Sequence, residues 1–184
     1  MHRMGATLTA MKVTDWKAGF REVYERARQA YLEGAGSPQT CIEEGDRAFL
    51  AECGCSAQEL FDLVEDDVTV GEPGFDRALR ITEVRREYFL KVDQGKPPER
   101  LRRASEFPSP GETLGGLEWL PRILAKARAK LRGELPPELM YCCGGDRHFL
   151  SAHGLEPDGF LRAVWRADDR EEEVVSYVKN RGSL

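Results

Sequence analysis

The feature that most constrains this chain is a string written twice. Gly145-Asp146-Arg147-His148-Phe149-Leu150 repeats Gly45-Asp46-Arg47-Ala48-Phe49-Leu50 with one change, at an offset of one hundred residues. The offset holds on both sides without a gap: Ala27 and Arg28 return as Ala127 and Arg128, Gly54 as Gly154, and Val64 as Val164. Apolar character is kept where identity is not, at Phe20 and Leu120, Val23 and Ile123, Leu60 and Phe160, Phe61 and Leu161. A constant offset across about fifty positions predicts two copies of one helical module.

Hydrophobic spacing gives each copy its elements. Trp16, Phe20, Val23, Tyr24, Ala27 and Tyr31 fall on one face at helical intervals, predicting a helix over 15–33 with Thr14 or Asp15 as its cap and a left-handed end at Gly34. Asp46 is expected to cap a short helix that closes at Gly54. Ser56-Ala57-Gln58-Glu59 is a capping box for a third helix burying Leu60, Phe61 and Val64. Pro73 then opens a longer helix reaching about Val92. Between Gly95 and Gly111 the prolines at 97, 98, 108 and 110 break any helix, so 93–113 reads as a linker that Leu101 and Phe107 can pin down.

The second copy repeats the long stripe as Leu117, Leu120, Ile123, Leu124, Ala127 and Leu131, with Arg122, Lys126, Lys130 and Arg132 expected on its exposed side. A short helix from Asp146, a corner at Gly154, a helix with Pro157 in its first turn, and a last helix capped by Asp168 or Asp169 complete it. The expected fold is all-α, with two pseudo-repeated helical modules packed together: a leader at 1–13, a first repeat at 14–92, the linker at 93–113, and a second repeat at 114–184.

Bulk properties exclude several classes. A net charge of -5 over 184 residues argues against general affinity for nucleic acid or anionic membranes. No run approaches the roughly 18 apolar residues of a membrane span. The first twelve residues lack the apolar stretch of a signal peptide. Five cysteines without an export signal point to a reducing compartment, so the expected location is the cytoplasm.

Leu114-Gly115-Gly116-Leu117-Glu118-Trp119-Leu120-Pro121-Arg122, then Lys126 to Gly133, then Cys143 with Asp146-Arg147 and Phe149-Leu150, resemble a bacterial family classed as a domain of unknown function, DUF5069. The likeness is good over 114–178 and, through the internal repeat, weaker over 16–90. Where that family has a single cysteine followed by Pro-Leu before the aspartate, this chain has Cys142-Cys143-Gly144-Gly145. The resemblance implies kinship and no activity.

Asp46/Asp146, Arg47/Arg147 and Arg28/Arg128 are either an anion site or architecture, the aspartate capping its helix while an arginine of the long helix pairs with it. Duplication favours architecture, and a guanidinium suits bidentate pairing with a carboxylate. Cys142, Cys143, His148 and His153 lie within twelve residues, and Cys53 falls opposite His153 in the repeat. Thiolate and imidazole are soft-metal ligands, but no Cys-x-x-Cys or His-x-x-x-His spacing is present. Beside two glycines and a helix start, Cys142 and Cys143 are where a lowered thiol pKa is expected. The helix–corner–helix around Gly154 loosely resembles a DNA-reading motif, yet its second helix opens with Glu156-Pro157-Asp158, which repels phosphate.

The chain thus reads as a cytoplasmic, non-catalytic binding or interaction module for an unidentified protein or small ligand, with no metal or cofactor assigned. The candidate ligand-binding residues are Arg128, Cys142, Cys143, Asp146, Arg147 and His148, with Trp119 and Trp165 as walls or as core. The alternatives are a thiol- or metal-dependent enzyme at the Cys142/Cys143/His148 loop and nucleic-acid binding through the basic helix 117–132.

Overall fold

A computed structural model describes residues 15–181; the expected leader and Thr14 lie outside them. Among the described residues the chain forms nine α-helices and one two-stranded hairpin, in agreement with an all-α class. None of the helices is long and apolar enough to cross a membrane.

The first half contains α1 (Trp16–Leu32), the single turn α2 (Pro38–Cys41), α3 (Glu44–Glu52), α4 (Ala57–Val70) and α5 (Phe75–Lys91). Asp15 caps α1, its carboxylate accepting from the amides of Lys17 and Ala18. The Ser56–Glu59 capping box forms in both directions: the Glu59 amide donates to Ser56 Oγ at 3.1 Å, and the Ser56 amide to Glu59 Oε2 at 2.8 Å. The stripe of α1 packs on α4, burying Phe20, Val23, Tyr24 and Ala27 against Leu50, Leu60 and Val64.

The second half opens with the hairpin β1 (Thr113–Leu114) and β2 (Leu117–Glu118), turned by Gly115 and Gly116. It continues with α6 (Leu120–Arg132), α7 (Gly144–Ala152), α8 (Pro157–Ala167) and α9 (Glu171–Lys179). α3 and α7 occupy positions one hundred apart, and so do the turns that end them. Gly54 and Gly154 take φ of 71° and 66°, a left-handed corner that glycine reaches without a Cβ penalty. At both corners the amide three residues after the helix (Cys55, Leu155) donates to the Leu50 or Leu150 carbonyl at 2.9 Å.

Two cores result, and α5 belongs to both. Its Ala78 lies in the first, while Ile81 and Val84 join Leu120, Ile123, Leu124, Phe160, Leu161 and Val164 in the second. The segment at 93–113 is ordered, with Phe107 buried in the second core and Leu101 exposed. Ion pairs also tie the halves together: Arg80 to Asp158 at 3.0 Å, Arg162 to Glu87 at 3.0 Å, and Arg147 to Asp66 at 2.7 Å.

Three local expectations need correction. Asp46 and Asp146 are not N-caps; those positions fall to Glu43 and Cys143, and each aspartate sits in the first turn. α9 starts after Arg170, so Asp168 and Asp169 lie before its cap. Of the cations expected on the outer face of α6, Lys126 and Lys130 are buried.

Candidate functional site

The loop before α7 is built around Asp146, which is wholly buried. Cys142 turns left-handed at φ 73°, and its amide donates back to Asp146 Oδ2 at 2.9 Å. Trp119 Nε1 donates to the other oxygen at 2.9 Å. Lys126, 1% exposed, reaches in from α6 with its ammonium 2.5 Å from Asp146 Oδ2. Lys126 also donates to the Met140 carbonyl at 2.9 Å and to Cys143 Sγ at 3.2 Å. The tryptophan ring lies over Gly145 so closely that a Cβ there would sit 2.2 Å from it. A buried charge is tolerated only when paired and hydrogen-bonded, and here both members are.

The partner of Asp146 is therefore Lys126 and not Arg128. Arg128 donates instead to Glu171 Oε1 at 2.9 Å and to the Asp168 carbonyl at 3.0 Å, away from this loop. The same step separates the expected and observed pairs in the first half, where Arg26, not Arg28, holds Asp46 through Nε at 3.0 Å and Nη2 at 2.7 Å. Arg47 and Arg147 also act alike, donating to the Ile42 and Cys142 carbonyls at 3.0 and 2.7 Å.

Of the six candidate residues, the structure brings Cys142, Cys143, Asp146 and Arg147 together. His148 is exposed on another face of α7, along a groove that also contains Arg77 and Glu156. The arginines of that groove are already matched, Arg147 with Asp66 and Glu72, Arg77 with Glu72 and Glu156. Burial pushes the Cys142 thiol up to about 12, contrary to the lowering expected there. His153 bonds the Phe149 carbonyl through Nδ1 and packs at a tilt against the Phe149 ring, and Cys53 is buried. Among the described residues no group of three or more His, Cys, Asp or Glu side chains could hold a metal ion. Trp119 walls the loop, whereas Trp165 packs on Tyr88 at 5.3 Å.

A half-open apolar cavity lies elsewhere, where the halves meet. Of about 290 Å³, it is bounded by the α3–α4 corner, α5, the proline segment and the loop after α6. Phe89, Pro97, Pro98, Leu135, Pro136 and Leu139 give it apolar walls. Its polar floor is Ser56, Gln58, Glu59, Asp62 and Arg85. Burial works against both Glu59 and Lys130, yet their 2.8 Å ion pair outweighs it, lowering the carboxyl pKa and raising that of the ammonium. Burial pushes Asp62 up to about 6, its only hydrogen bond among the described residues coming from Gln58 Nε2 at 2.7 Å.

The floor escaped the sequence reading, but Lys126 carried a signal. Trp119, Ile123, Lys126 and Lys130 recur at helical spacing, which places both lysines on the buried side.

A helical scaffold with internally paired buried charges and an apolar cavity at the seam of its halves is the class of protein these features define. The model of a family described as a domain of unknown function (DUF5069) matches residues 105–183, in line with the resemblance carried by the second half. No curated protein and no solved structure matches the chain.

Proposed function

We propose that the protein is a non-catalytic binding module made of two related helical halves, and that its ligand site is the cavity between them. The observation that carries this reading is the cavity itself: half-open and mostly apolar, with a few polar groups in its lining, as small-molecule sites generally are. The relatedness of the halves is supported by the register of one hundred, by the matching corners at Gly54 and Gly154, and by the Arg26–Asp46 and Lys126–Asp146 pairs at equivalent positions. A feature present in both halves is architecture before it is chemistry, which removes the Asp146 loop as first choice. Five unpaired cysteines are in keeping with a reducing cytoplasm. An apolar-fragment screen followed by amide chemical shifts tests the site. Hits are expected to move Gly54, Ser56, Gln58 and Gly133; hits clustering elsewhere, or none, would overturn it.

One observation favours the thiol-dependent alternative. The Lys126 ammonium donates to a half-buried Cys143 at the start of α7, a setting in which nucleophilic cysteines occur. His148, the third residue of that reading, is exposed and makes no hydrogen bond to Cys143. Alkylation of Cys143 no faster than a free cysteine would dismiss this reading.

A further inference from the structure

Two polar side chains of the cavity lining, Arg85 and Asp62, each keep one atom without a hydrogen-bond partner among the described residues, a donor in one and an acceptor in the other. Arg85 is 1% exposed and crosses the seam. Its Nε donates to the Gly54 carbonyl at 2.9 Å, and its Nη1 donates to Asp93 Oδ2 at 2.7 Å and to the Leu131 carbonyl at 2.6 Å. Nη2 donates to nothing among the described residues. It lies beside Gly133, where a Cβ would come within 2.6 Å of it and push the guanidinium aside. A guanidinium carries five N–H donors, and the two on Nη2 are the ones left over on a cavity-lining side chain. On the acceptor side, Glu59 has both oxygens committed, one to Lys130 and one to the Ser56 amide. Among the described residues Asp62 has Gln58 on Oδ1 and nothing on Oδ2, which is left to accept.

We infer that the cavity takes a small apolar molecule bearing a neutral carboxamide-like group, its carbonyl accepting from Arg85 Nη2 and its N–H offered to the Asp62 carboxylate. The inference rests on the cavity being the ligand site. A carboxylate ligand would satisfy Arg85 but face Glu59 and Asp62. An ammonium ligand would satisfy Asp62 but leave Arg85 Nη2 without an acceptor and meet Lys130 nearby. An uncharged amide supplies both bonds and brings no charge to desolvate. The volume is at the lower end of ligand pockets, enough for a single ring and its substituent and too small for a nucleotide. Pro97, Pro98 and Phe89 supply apolar surface for such a ring.

Three probes sharing one ring test this: benzamide, benzoate and benzylamine, each titrated into the ¹⁵N-labelled protein. Benzamide should shift the amides around Gly54, Gln58 and Gly133 and bind about tenfold more tightly than either ion, the factor a single unmatched buried polar group is worth. Ala51→Trp, on the exposed rim of the cavity, should abolish those shifts while preserving the spectrum of the fold. Tighter binding of benzoate or benzylamine at the same residues would refute the amide while leaving the cavity as the site. Binding of no probe, or shifts that survive Ala51→Trp, would overturn both.

Discussion

Replacing Lys126 with methionine separates the energetic roles of the two matching ion pairs. Lys126 and Asp146 have side chains 2% and 0% exposed, and the carboxylate keeps only the Trp119 and Cys142 N–H donors once the ammonium is gone. Breaking a buried pair from one side costs about 3–5 kcal/mol, because the orphaned charge stays behind. For a chain of this size that is a fall of roughly 10 °C in Tm. Arg26→Met breaks the equivalent pair in the first half, where the arginine is 50% exposed, and should cost at most about 1 kcal/mol. Urea denaturation followed by circular dichroism gives both values. The cycle with Asp146→Asn sharpens the comparison: the double variant should cost about 2 kcal/mol less than the sum of the singles. Recovery stays partial, because an asparagine oxygen can accept from Trp119 Nε1 or from the Cys142 amide but not from both. Equal costs for Lys126→Met and Arg26→Met, or simple additivity in the cycle, would refute the assignment of Lys126 as the buried counter-ion.

Gly145→Ala should destabilise by about 1–3 kcal/mol by driving a Cβ into the Trp119 ring, whereas Gly45→Ala, with open space around it, should stabilise α3 by up to about 1 kcal/mol; denaturation midpoints of the pair decide. Asp62 titrates near 6 when folded and near 3.9 in an unfolded chain, so between those values the folded state holds a proton the unfolded state has released. Stability should therefore fall as pH rises from about 4 to 6, and Asp62→Asn should remove that component in a pH series of unfolding curves. In native protein, iodoacetamide should label Cys143 and spare Cys41, Cys53, Cys55 and Cys142, all buried, until denaturant is added; peptide mass spectrometry reads the order, and early loss of Cys142 would contradict the packing.

Much of the fold is legible in the sequence because helices announce themselves locally. The stripe from Trp16 to Tyr31, the Ser56–Glu59 box and Pro157 at a first turn are each set by neighbours within a few residues, and each forms as expected. The pairing of Asp146 depends on a finer angle. Lys126 and Arg128 are two positions apart, about 200° around a helix, so a stripe wide enough to reveal a helix does not say which cation at its margin turns inward. Asp146 itself was misplaced by three residues because aspartate suits both a cap and a first turn, and the left-handed Cys142 that decides between them has no residue signature. The cavity was illegible for a stronger reason: its walls come from residues 51–62, 85–89, 97–101 and 133–139, which only tertiary packing brings together.

The contrast between the two halves comes down to what covers equivalent glycines. Trp119 lies over Gly145 and closes Lys126 and Asp146 away from solvent. One hundred residues earlier the matching position is Gly19, inside α1, with the Phe49 ring packed against it, and nothing lies within 4 Å of a Cβ at Gly45. Without an indole the Arg26–Asp46 pair stays open, and arginine there meets its carboxylate from solvent through two bonds. Lysine, with one compact ammonium, fits the closed version, where the Met140 carbonyl and Cys143 sulfur take its remaining protons. The two pairs, one hundred residues apart, are thus one solvated and one sealed. The sealed one lies in the part of the chain that matches the family, and the Glu59–Lys130 and Arg85–Leu131 contacts tie that half to the first across the cavity. A ligand held there touches groups from both halves, so its binding should be felt as added stability of the whole chain rather than of either half alone.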